Sequence, residues 1–280
     1  MGGVRIVTDS SCDLPNELVA ELDIDIVPLT IRFGGEELVD RRDLSPKEFW
    51  ARCHSSPVLP ETAAPSPGAF ETAFRRAADL GADGIVCINL SSKLSATGQA
   101  AQMGARSLEG QIPIRVVDSK SVTMGLGMIV VAAARLAADG KGLDDVAGLA
   151  EDLAGRTRVY GALDTLENLK KGGRVGGASA LIGSMLSIKP IIEVRDGEVE
   201  AESRQRTRSK ALRYLVDKVR NQPDIENLAV MHGDAPDLDE FLDLLDPLYG
   251  RDKIVIADIG PVIGTHAGPR VIGVVFQTAV

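Results

Sequence analysis

The stretch "GIVCINLSSKLSATGQAAQMGARSLEGQIPIRVVDS", residues 84–119, decides the fold class. It opens with an apolar run over 84–90, continues with a helical pattern over 95–108, and ends on a second β-rich run over 112–119. Strands that alternate with helices of this length favour parallel pairing in a sheet covered on both faces. The stretch therefore predicts an α/β protein.

The residues before this stretch extend the same pattern. "VRIVTDSS" (4–11) predicts a strand that runs into hydroxyls and an acid. "IDIVPLTIRF" (24–33) and "EELVD" (36–40), joined by two glycines, predict a hairpin. The proline-rich segment 54–70 predicts a rigid loop, within which Ser66-Pro67 starts the next helix.

A second α/β set follows from "RVYGALD" (158–164) onward. It includes predicted helices over 165–172 and 178–186, and a hairpin that turns at Asp196-Gly197. The sequence thus predicts two tandem α/β domains, residues 1–157 and 158–280.

Composition limits the function classes. The chain of 280 residues is 44% hydrophobic and 25% charged, which is ordinary for a globular protein with a core. Its net charge of -9 argues against a general nucleic-acid binder. The three cysteines contain no C-x-x-C and are expected to be reduced. We expect no signal peptide. The most apolar helical segment, 125–139, is too short to cross a bilayer. The expected location is therefore the cytoplasm.

Common catalytic and cofactor signatures are missing from the sequence. It has no G-x-x-x-x-G-K-[ST], no G-x-G-x-x-G after a strand, no H-E-x-x-H and no G-x-S-x-G. The histidines, His54, His232 and His266, show no metal-ligand spacing. We therefore expect neither a cofactor nor a metal.

Three positions are candidates for an anion site. Ser95 follows a predicted strand and either caps the next helix or contacts a ligand, because helix N-termini favour anions. Thr62 in "ETAAPSPGAF" is a hydroxyl in the proline-stiffened loop, and a plain surface turn is the alternative. His266 in "GPVIGTHAGPR" (260–270) is predicted to lie in a glycine-proline loop between two strands, where it could complete the site as a cation or a donor.

Basic residues form a fourth candidate group. "KKGGRVGG" brings Lys170, Lys171 and Arg174 beside a glycine turn. "ESRQRTRSK" places Arg204, Arg206 and Arg208 at alternate positions, which share one face if the segment is a strand. Such a patch could bind phosphate or an acidic partner. The alternative is a solvated edge strand whose charges protect it from pairing with another chain.

Taken in order, these segments resemble the DegV family of bacterial fatty-acid-binding proteins. The resemblance runs from about residue 4 to 276. The matching segments are "VTDSSCDLP", "SSKLSATGQAA", "VVDSKSVTMGLG", "LENLKKGGRVGG", "IKPIIEVRDGEV" and "GPVIGTHAGPR". Several motifs matched in register are more specific than any one of them alone.

The resemblance implies two α/β domains with a ligand tunnel near their junction, which holds one long-chain fatty acid mainly in the C-terminal domain. Thr62, Ser95 and His266 would bind the carboxylate. FakB-type members present the fatty acid to a separate ATP-dependent kinase, FakA, which makes acyl phosphate for phospholipid synthesis. Arg174 and Arg206 would contact that kinase or the phosphorylated head group. A transient membrane-surface contact is also implied.

The chain departs from the family pattern at three places. It has "TAAPS" where "TSQPS" is expected, "LSAT" for "LSGT", and "GPR" for "GPG", which adds Arg270 near the head group. These changes bear on chain preference and fine geometry.

The apolar stretch "ASALIGSMLSIKPII" (178–192) could line the tunnel or be plain core. In a tunnel, each buried methylene would contribute about 0.8 kcal/mol, so the tail would dominate affinity. A rival interpretation makes the protein a hydrolase or acyl transferase with His266 as base and Ser95 as nucleophile. A third makes it a regulatory module that docks through the arginine segment and binds no lipid.

Overall fold

The computed structural model describes residues 2–56, 58–181 and 188–279. The strands are β1 (Val4–Asp9), β2 (Asp25–Val27), β3 (Thr30–Phe33), β4 (Glu36–Val39), β5 (Glu61–Ala63), β6 (Gly84–Asn89), β7 (Ile114–Asp118), β8 (Thr157–Ala162), β9 (Lys189–Arg195), β10 (Glu198–Gln205), β11 (Ile225–His232), β12 (Val255–Asp258) and β13 (Ile272–Thr278). The α-helices are α1 (Asn16–Glu21), α2 (Pro46–Ser55), α3 (Pro67–Asp79), α4 (Thr97–Arg106), α5 (Met124–Ala138), α6 (Leu143–Arg156), α7 (Glu167–Lys171), α8 (Arg208–Arg220), α9 (Leu238–Tyr249) and α10 (Pro261–Ala267).

The first sheet is parallel throughout, in the order β2-β1-β6-β7. The stretch 84–119 forms β6, α4 and β7, and β6 pairs with β7 in register at Ile85 and Ile114. Every residue of β6 is buried, as expected for a strand with helices on both faces. The α/β class predicted from this stretch is confirmed.

The N-terminal part also contains a small antiparallel sheet in the order β4-β3-β5. The hairpin of β3 and β4 is confirmed, and Gly34 adopts a positive φ at its turn. The prediction that 24–33 is one strand is wrong, because the segment breaks at Pro28 and β2 joins the parallel sheet while β3 does not. The prediction that all of 54–70 is a loop is also wrong, since β5 pairs with β3.

The third sheet contains the strands of the C-terminal part, in the order β10-β9-β8-β13-β11-β12. Within it β11 and β12 pair in parallel, and the other neighbours pair antiparallel. The predicted hairpin is confirmed, with Asp196 and Gly197 both at positive φ. The division into domains 1–157 and 158–280 stays a prediction.

Helix α5 lies between the parallel sheet and the third sheet, since it contacts β1 and β6 as well as β8, β11 and β13. Contact on both sides explains why its sequence is apolar nearly all round. At Gly127 a Cβ atom would come within 2.6 Å of the Cys12 carbonyl oxygen, so the missing side chain permits this close approach. One hydrophobic core accordingly runs from Ile6 to Val275 across both sheets.

Two further predictions concern helices. None of the helices in the described ranges is long and apolar enough to span a membrane. The helix predicted over 178–186 lies partly outside the described residues. Its described beginning belongs to a 3-10 turn, Gly176–Leu181.

Candidate functional site

Thr62 and His266 meet although 204 residues separate them in the chain. The Thr62 hydroxyl oxygen lies 3.0 Å from Nε2 of His266. Thr62 lies on β5, and His266 lies in the last turn of α10. The loop predicted for both residues is therefore wrong, and the fold brings the two side chains into hydrogen-bond distance.

Helix α10 forms where the sequence predicts a loop because its glycines and prolines occupy terminal positions. Gly260 is the N-cap residue, Pro261 is the first residue of the helix, and Gly268 terminates the helix with a φ of 79°. Gly264, in the middle, packs against the rings of Phe49 and Trp50, where a Cβ atom would come within 2.6 Å. A glycine-rich segment can therefore be helical when a neighbouring element requires close approach.

The imidazole of His266 is neutral at physiological pH. Burial, together with the positive charge of Arg174, lowers the pKa of His266 to about 4. Of the two predicted roles of His266, a cation or a hydrogen-bond donor, the lowered pKa favours the neutral donor in the unliganded protein. It remains a hydrogen-bonding group that a bound anion would make easier to protonate.

The surroundings of Nδ1, the other ring nitrogen of His266, indicate which nitrogen carries the proton. Within the described ranges, the buried Nδ1 has no hydrogen-bond partner, and it faces Gly172, where a Cβ atom would lie 2.3 Å away. Because an orphaned N–H is rarer in proteins than an under-used acceptor, we assign the proton to Nε2. Nε2–H then donates to Thr62, whose own hydroxyl hydrogen is left to point at a ligand.

Ser95 lies in the turn that leads from β6 into α4. Its hydroxyl lies 2.9 Å from that of Thr97 and accepts a bond from the Thr97 N–H. The N-cap residue of α4 is Ala96, which gives no side-chain cap. Ser95 therefore lies one residue before the N-cap position, and its hydroxyl accepts a bond from the first N–H of α4.

Arg174 follows α7 and reaches across to the Ser95 turn. Its Nε donates to the carbonyl of Leu94 at 3.1 Å, and its Nη1 donates to the carbonyl of Gly172. Both acceptors are neutral, and no carboxylate of the described residues forms an ion pair with the guanidinium, so Arg174 brings a positive charge to the site. This agrees with its effect on the pKa of His266.

These four polar side chains share one cavity of about 80 Å³, which we call the aliphatic cavity. The rest of its lining is aliphatic: Leu29, Leu90, Leu94, Val122, Leu169, Ile192, Val194, Val199, Val262, Ile263 and Ala267. Thr62, Arg174 and His266 also line a neighbouring outer cleft of about 450 Å³. The polar groups thus lie at the boundary between an apolar interior and an open cleft.

The long tunnel implied by the resemblance is not seen among the described residues. At about 80 Å³ the aliphatic cavity is smaller than the ~300–1,000 Å³ common for ligand pockets. Ile192, from the stretch 178–192, lines it, while residues 182–187 of that stretch lie outside the described set.

The arginines predicted to share a strand face do not do so. Arg204 lies on β10, Arg206 follows the strand, and Arg208 starts α8. Arg208 pairs with Asp237 at 2.7 Å. Arg206 lines a separate cleft with Lys170 and does not line the aliphatic cavity.

The described residues do not form the arrangement that the hydrolase interpretation needs. Ser95 makes its hydrogen bonds to Thr97, while His266 bonds Thr62, so nucleophile and base are not paired. Nor is there, over 2–56, 58–181 and 188–279, a cluster of three or more His, Cys, Asp or Glu side chains suited to a metal ion.

Sequence reasoning missed Asn168, which positions α10. Its Nδ2 donates to the carbonyl of Thr265 at 3.1 Å, next to His266. It also missed the bond from the Gly260 N–H to Asp13 at the other end of the helix. Asn168 and Asp13 each lie in a segment that matches the family, but no spacing signal shows that they meet α10.

The fold and this site define an α/β protein with a polar cluster at the edge of an aliphatic cavity. The model of the DegV family, described as uncharacterised, matches residues 3–279. A DegV domain-containing protein of Streptomyces coelicolor is 38% identical, with 98% of each chain covered. This chain belongs to the DegV family.

Solved structures give the same family. A fatty-acid-binding DegV family protein from Thermus thermophilus is similar at a TM-score of 0.90 and 30% identity, covering 99% of this chain and 100% of that one. A stearic-acid-binding protein from Eubacterium ventriosum is similar at a TM-score of 0.87 and 26% sequence identity, with 98% of each chain covered. The mixed α/β architecture and the family resemblance are confirmed.

Proposed function

We propose that this protein binds one long-chain fatty acid, with its carboxylate at Thr62, Ser95 and His266 and its acyl chain in the aliphatic cavity. The observation that carries the proposal is the hydrogen bond between Thr62 and His266 at the edge of an otherwise aliphatic cavity. The fatty-acid-binding relatives from Thermus thermophilus and Eubacterium ventriosum support the same ligand class.

The polar groups suit a carboxylate in both charge and hydrogen bonding. Thr62 offers a hydroxyl hydrogen once His266 donates to its oxygen, and Ser95 offers a second hydroxyl. Arg174 supplies the nearby positive charge. Charge-assisted bonds of this kind are stronger than neutral ones, so they fix the head group even though the tail contributes most of the affinity.

The acyl chain needs more room than the cavity has in the unliganded protein. We propose that its aliphatic walls move apart as the chain enters. Burial of each methylene, at about 0.8 kcal/mol, offsets the cost of that opening.

We further propose that the bound carboxylate is presented to a separate, FakA-like fatty acid kinase. Its oxygen would form a bond to the γ-phosphorus of ATP as ADP leaves, giving an acyl phosphate. The outer cleft beside Thr62, Arg174 and His266 provides an approach for that partner. Arg174 would stabilise the added negative charge, and Arg206, in its own cleft, would contact the kinase.

Native mass spectrometry of the delipidated protein with stearate tests the binding proposal. We expect one stearate per chain, and strongly reduced occupancy in a Thr62→Val/Ser95→Ala/His266→Gln triple variant. Equal occupancy in both would contradict the assigned head-group site, and no uptake by the wild type would contradict fatty acid binding.

Transfer of phosphate from ATP in the presence of a purified fatty acid kinase tests the second step. We expect Arg174→Ala and Arg206→Ala to slow acyl phosphate formation by about tenfold or more while stearate remains bound. Arg213→Ala, at an exposed position on α8, is the matched control and should leave the rate unchanged. Unchanged rates in all three variants would contradict the roles of Arg174 and Arg206.

A further inference from the structure

Helix α10, which carries His266, is too short to hold its own conformation. It spans the seven residues Pro261–Ala267, and isolated helices below about 12–15 residues are only marginally stable in water. Gly260 and Gly268 at its two ends add freedom to the backbone there. The position of the helix, and with it that of the imidazole, must therefore be set by groups outside it.

The start of α10 is held through a single peptide group. The carbonyl of Ile259 accepts a hydrogen bond from the Trp50 indole N–H at 3.1 Å, and the N–H of Gly260 donates to Asp13 at 3.0 Å. Both bonds are buried. Because the carbonyl and the N–H belong to the same peptide plane, its orientation is fixed from two sides before the helix begins.

The end of α10 leaves a carbonyl that the helix itself does not satisfy. In a continuing helix the carbonyl of Thr265 would accept a bond from the N–H four residues on, but Pro269 has none. The side-chain amide of Asn168 takes this place and donates to the Thr265 carbonyl at 3.1 Å. Thr265 is 4% exposed and Asn168 is 9% exposed, so water has little access to replace that bond.

The bond from Asn168 acts on the backbone of His266. The Thr265 carbonyl belongs to the peptide group that joins Thr265 to His266, so holding its oxygen fixes the direction in which the imidazole leaves the helix. The main-chain carbonyl of Asn168 also accepts the Gly172 N–H at 2.9 Å. Gly172 lies against the ring, since a Cβ atom there would be 2.3 Å from Nδ1. Asn168 thus supports both the backbone that carries the ring and the surface beside it.

A change of the Asn168 side chain should leave the other polar groups of the site in place. Arg174 donates to the carbonyls of Leu94 and Gly172, and neither bond involves the Asn168 amide. The bond from Gly172 goes to the main chain of Asn168, which any substitution keeps. Asn168 lines the outer cleft but not the aliphatic cavity. Its side chain can therefore be replaced without removing a cavity wall or the positive charge.

We propose that Asn168 is a positioning residue, whose side-chain amide holds the last turn of α10 so that Nε2 of His266 lies at the Thr62 hydroxyl. The distance of 3.0 Å between these two atoms is the geometry that it maintains. The consequence for a ligand rests on the proposed function, because Asn168 acts on the carboxylate through His266. Without the amide, the Thr265 carbonyl is buried and unpaired, so the last turn should shift toward water and carry the imidazole away from Thr62.

NMR of the imidazole nitrogens in the ligand-free protein tests this placement without any lipid. The His266 signals are assigned by their loss in His266→Ala. In the wild type we expect one tautomer, protonated at Nε2, and a pKa of about 4 for His266. In Asn168→Leu and Asn168→Ala the ring should reach water, so its pKa should rise toward about 6.5 and the two tautomers should mix. A loss of stability alone changes neither property in the folded protein.

Calorimetry with stearate connects the placement of the ring to the ligand. We expect each Asn168 variant to weaken stearate binding by about tenfold. In a His266→Ala background the same substitutions should have almost no further effect, because they act through the ring. Asn227→Leu is the matched control: it removes the bond of 3.0 Å from Asn227, on β11, to the Gln277 side chain, and it should leave the ring and the affinity unchanged.

Near-ultraviolet circular dichroism shows which variants fold. An unchanged pKa and tautomer of His266 in the folded variants would overturn the proposal, as would an equal loss of stearate affinity with and without the imidazole. A wild-type ring that titrates near its ordinary pKa of about 6.5 would overturn it even if neither variant folds. Failure of the wild type to bind stearate would instead contradict the proposed function, and the ring titration would still decide the role of Asn168.

Discussion

The two cavities at the ends of α10 differ in almost every property, although one seven-residue helix lines both. The aliphatic cavity has a neutral histidine beside Arg174. The other cavity, of about 310 Å³, lies at the start of α10 and is lined by Asp13 and Asp40, two buried carboxyls whose pKa values are raised. Burial lowers the pKa of His266 at one end and raises the pKa of Asp13 at the other. The comparison shows that desolvation favours the neutral form of the side chain at both ends of the helix, whether it is a base or an acid.

A charge placed between the two cavities should have the largest effect. Val262 is 3% exposed and lines the aliphatic cavity from α10. Val262→Asp would place a carboxylate against the apolar tail and near the stearate carboxylate, so stearate affinity should fall more than about 100-fold. Val262→Ala keeps the wall apolar and should lose far less. Calorimetry on the folded variants measures both, and native-like affinity in Val262→Asp would contradict the aliphatic cavity as the tail site.

The pH dependence of stability sharpens the contrast between the two ends. The pKa of His266 is about 4 in the folded protein against about 6.5 when unfolded. Between these values the unfolded state binds the extra proton, so His266 lowers stability as pH falls from 6.5 to 4, by on the order of 3 kcal/mol. Urea denaturation of the ligand-free protein measures the loss of unfolding free energy between pH 7 and pH 4.5. This loss should be smaller in His266→Gln than in the wild type, and an identical loss would contradict a buried, neutral imidazole.

Asp13 should affect the pH dependence of the unfolding free energy in the opposite direction to His266, because its contribution is lost as pH rises. Because the folded-state pKa of Asp13 is raised to about 8, the folded protein holds a proton that the unfolded one releases. Its contribution is present at pH 4 and is lost as pH rises through about 8. Asp13→Asn should therefore flatten the decline in unfolding free energy between about pH 4 and pH 8, whereas a decline as steep as in the wild type would contradict the raised pKa.

Gly172 tests how closely the imidazole must be placed. Its φ of -75° would accept alanine, but the added Cβ would lie 2.3 Å from Nδ1 of His266. Gly172→Ala should push the ring away from Thr62 and weaken stearate binding by about tenfold, near 1.4 kcal/mol. In a His266→Ala background the same change should have almost no effect. A full effect in both backgrounds would show that Gly172 acts through something other than the ring.

The smallest effect is expected at Thr62. Thr62→Val keeps the shape and removes the hydroxyl, at a cost of about 0.5–1.5 kcal/mol in stearate affinity, while Thr62→Ser should retain most of it. Calorimetry with stearate distinguishes the two. Equal affinities for valine and serine would remove Thr62 from the head-group site.

The sequence predicts the periodic elements well, because a buried parallel strand and an amphipathic helix are local patterns. β6, α4 and β7 are present, as are the hairpins at Gly34 and Asp196-Gly197. It fails for α10, where glycine and proline indicate a loop when read locally. The terminal positions of its other glycines and prolines, together with the packing of Gly264 against Phe49 and Trp50, are compatible with a helix.

The candidate site was predictable only in part. Thr62, Ser95 and His266 could be named from hydroxyl and imidazole chemistry together with the family resemblance. The neutral state of His266 could not, because it depends on burial and on Arg174, which reaches it across the fold. The raised pKa of Asp13 could not be predicted either, since Asp13 and Asp40 meet residues 256–261 only in the folded chain.

A crystal structure of the stearate complex would test the proposed fatty acid site. We expect the carboxylate within hydrogen-bond distance of the Thr62 and Ser95 hydroxyls, and the acyl chain between the aliphatic walls that include Val194 and Val262. A stearate whose carboxylate lies away from Thr62, Ser95 and His266, or whose tail lies outside the aliphatic cavity, would contradict it.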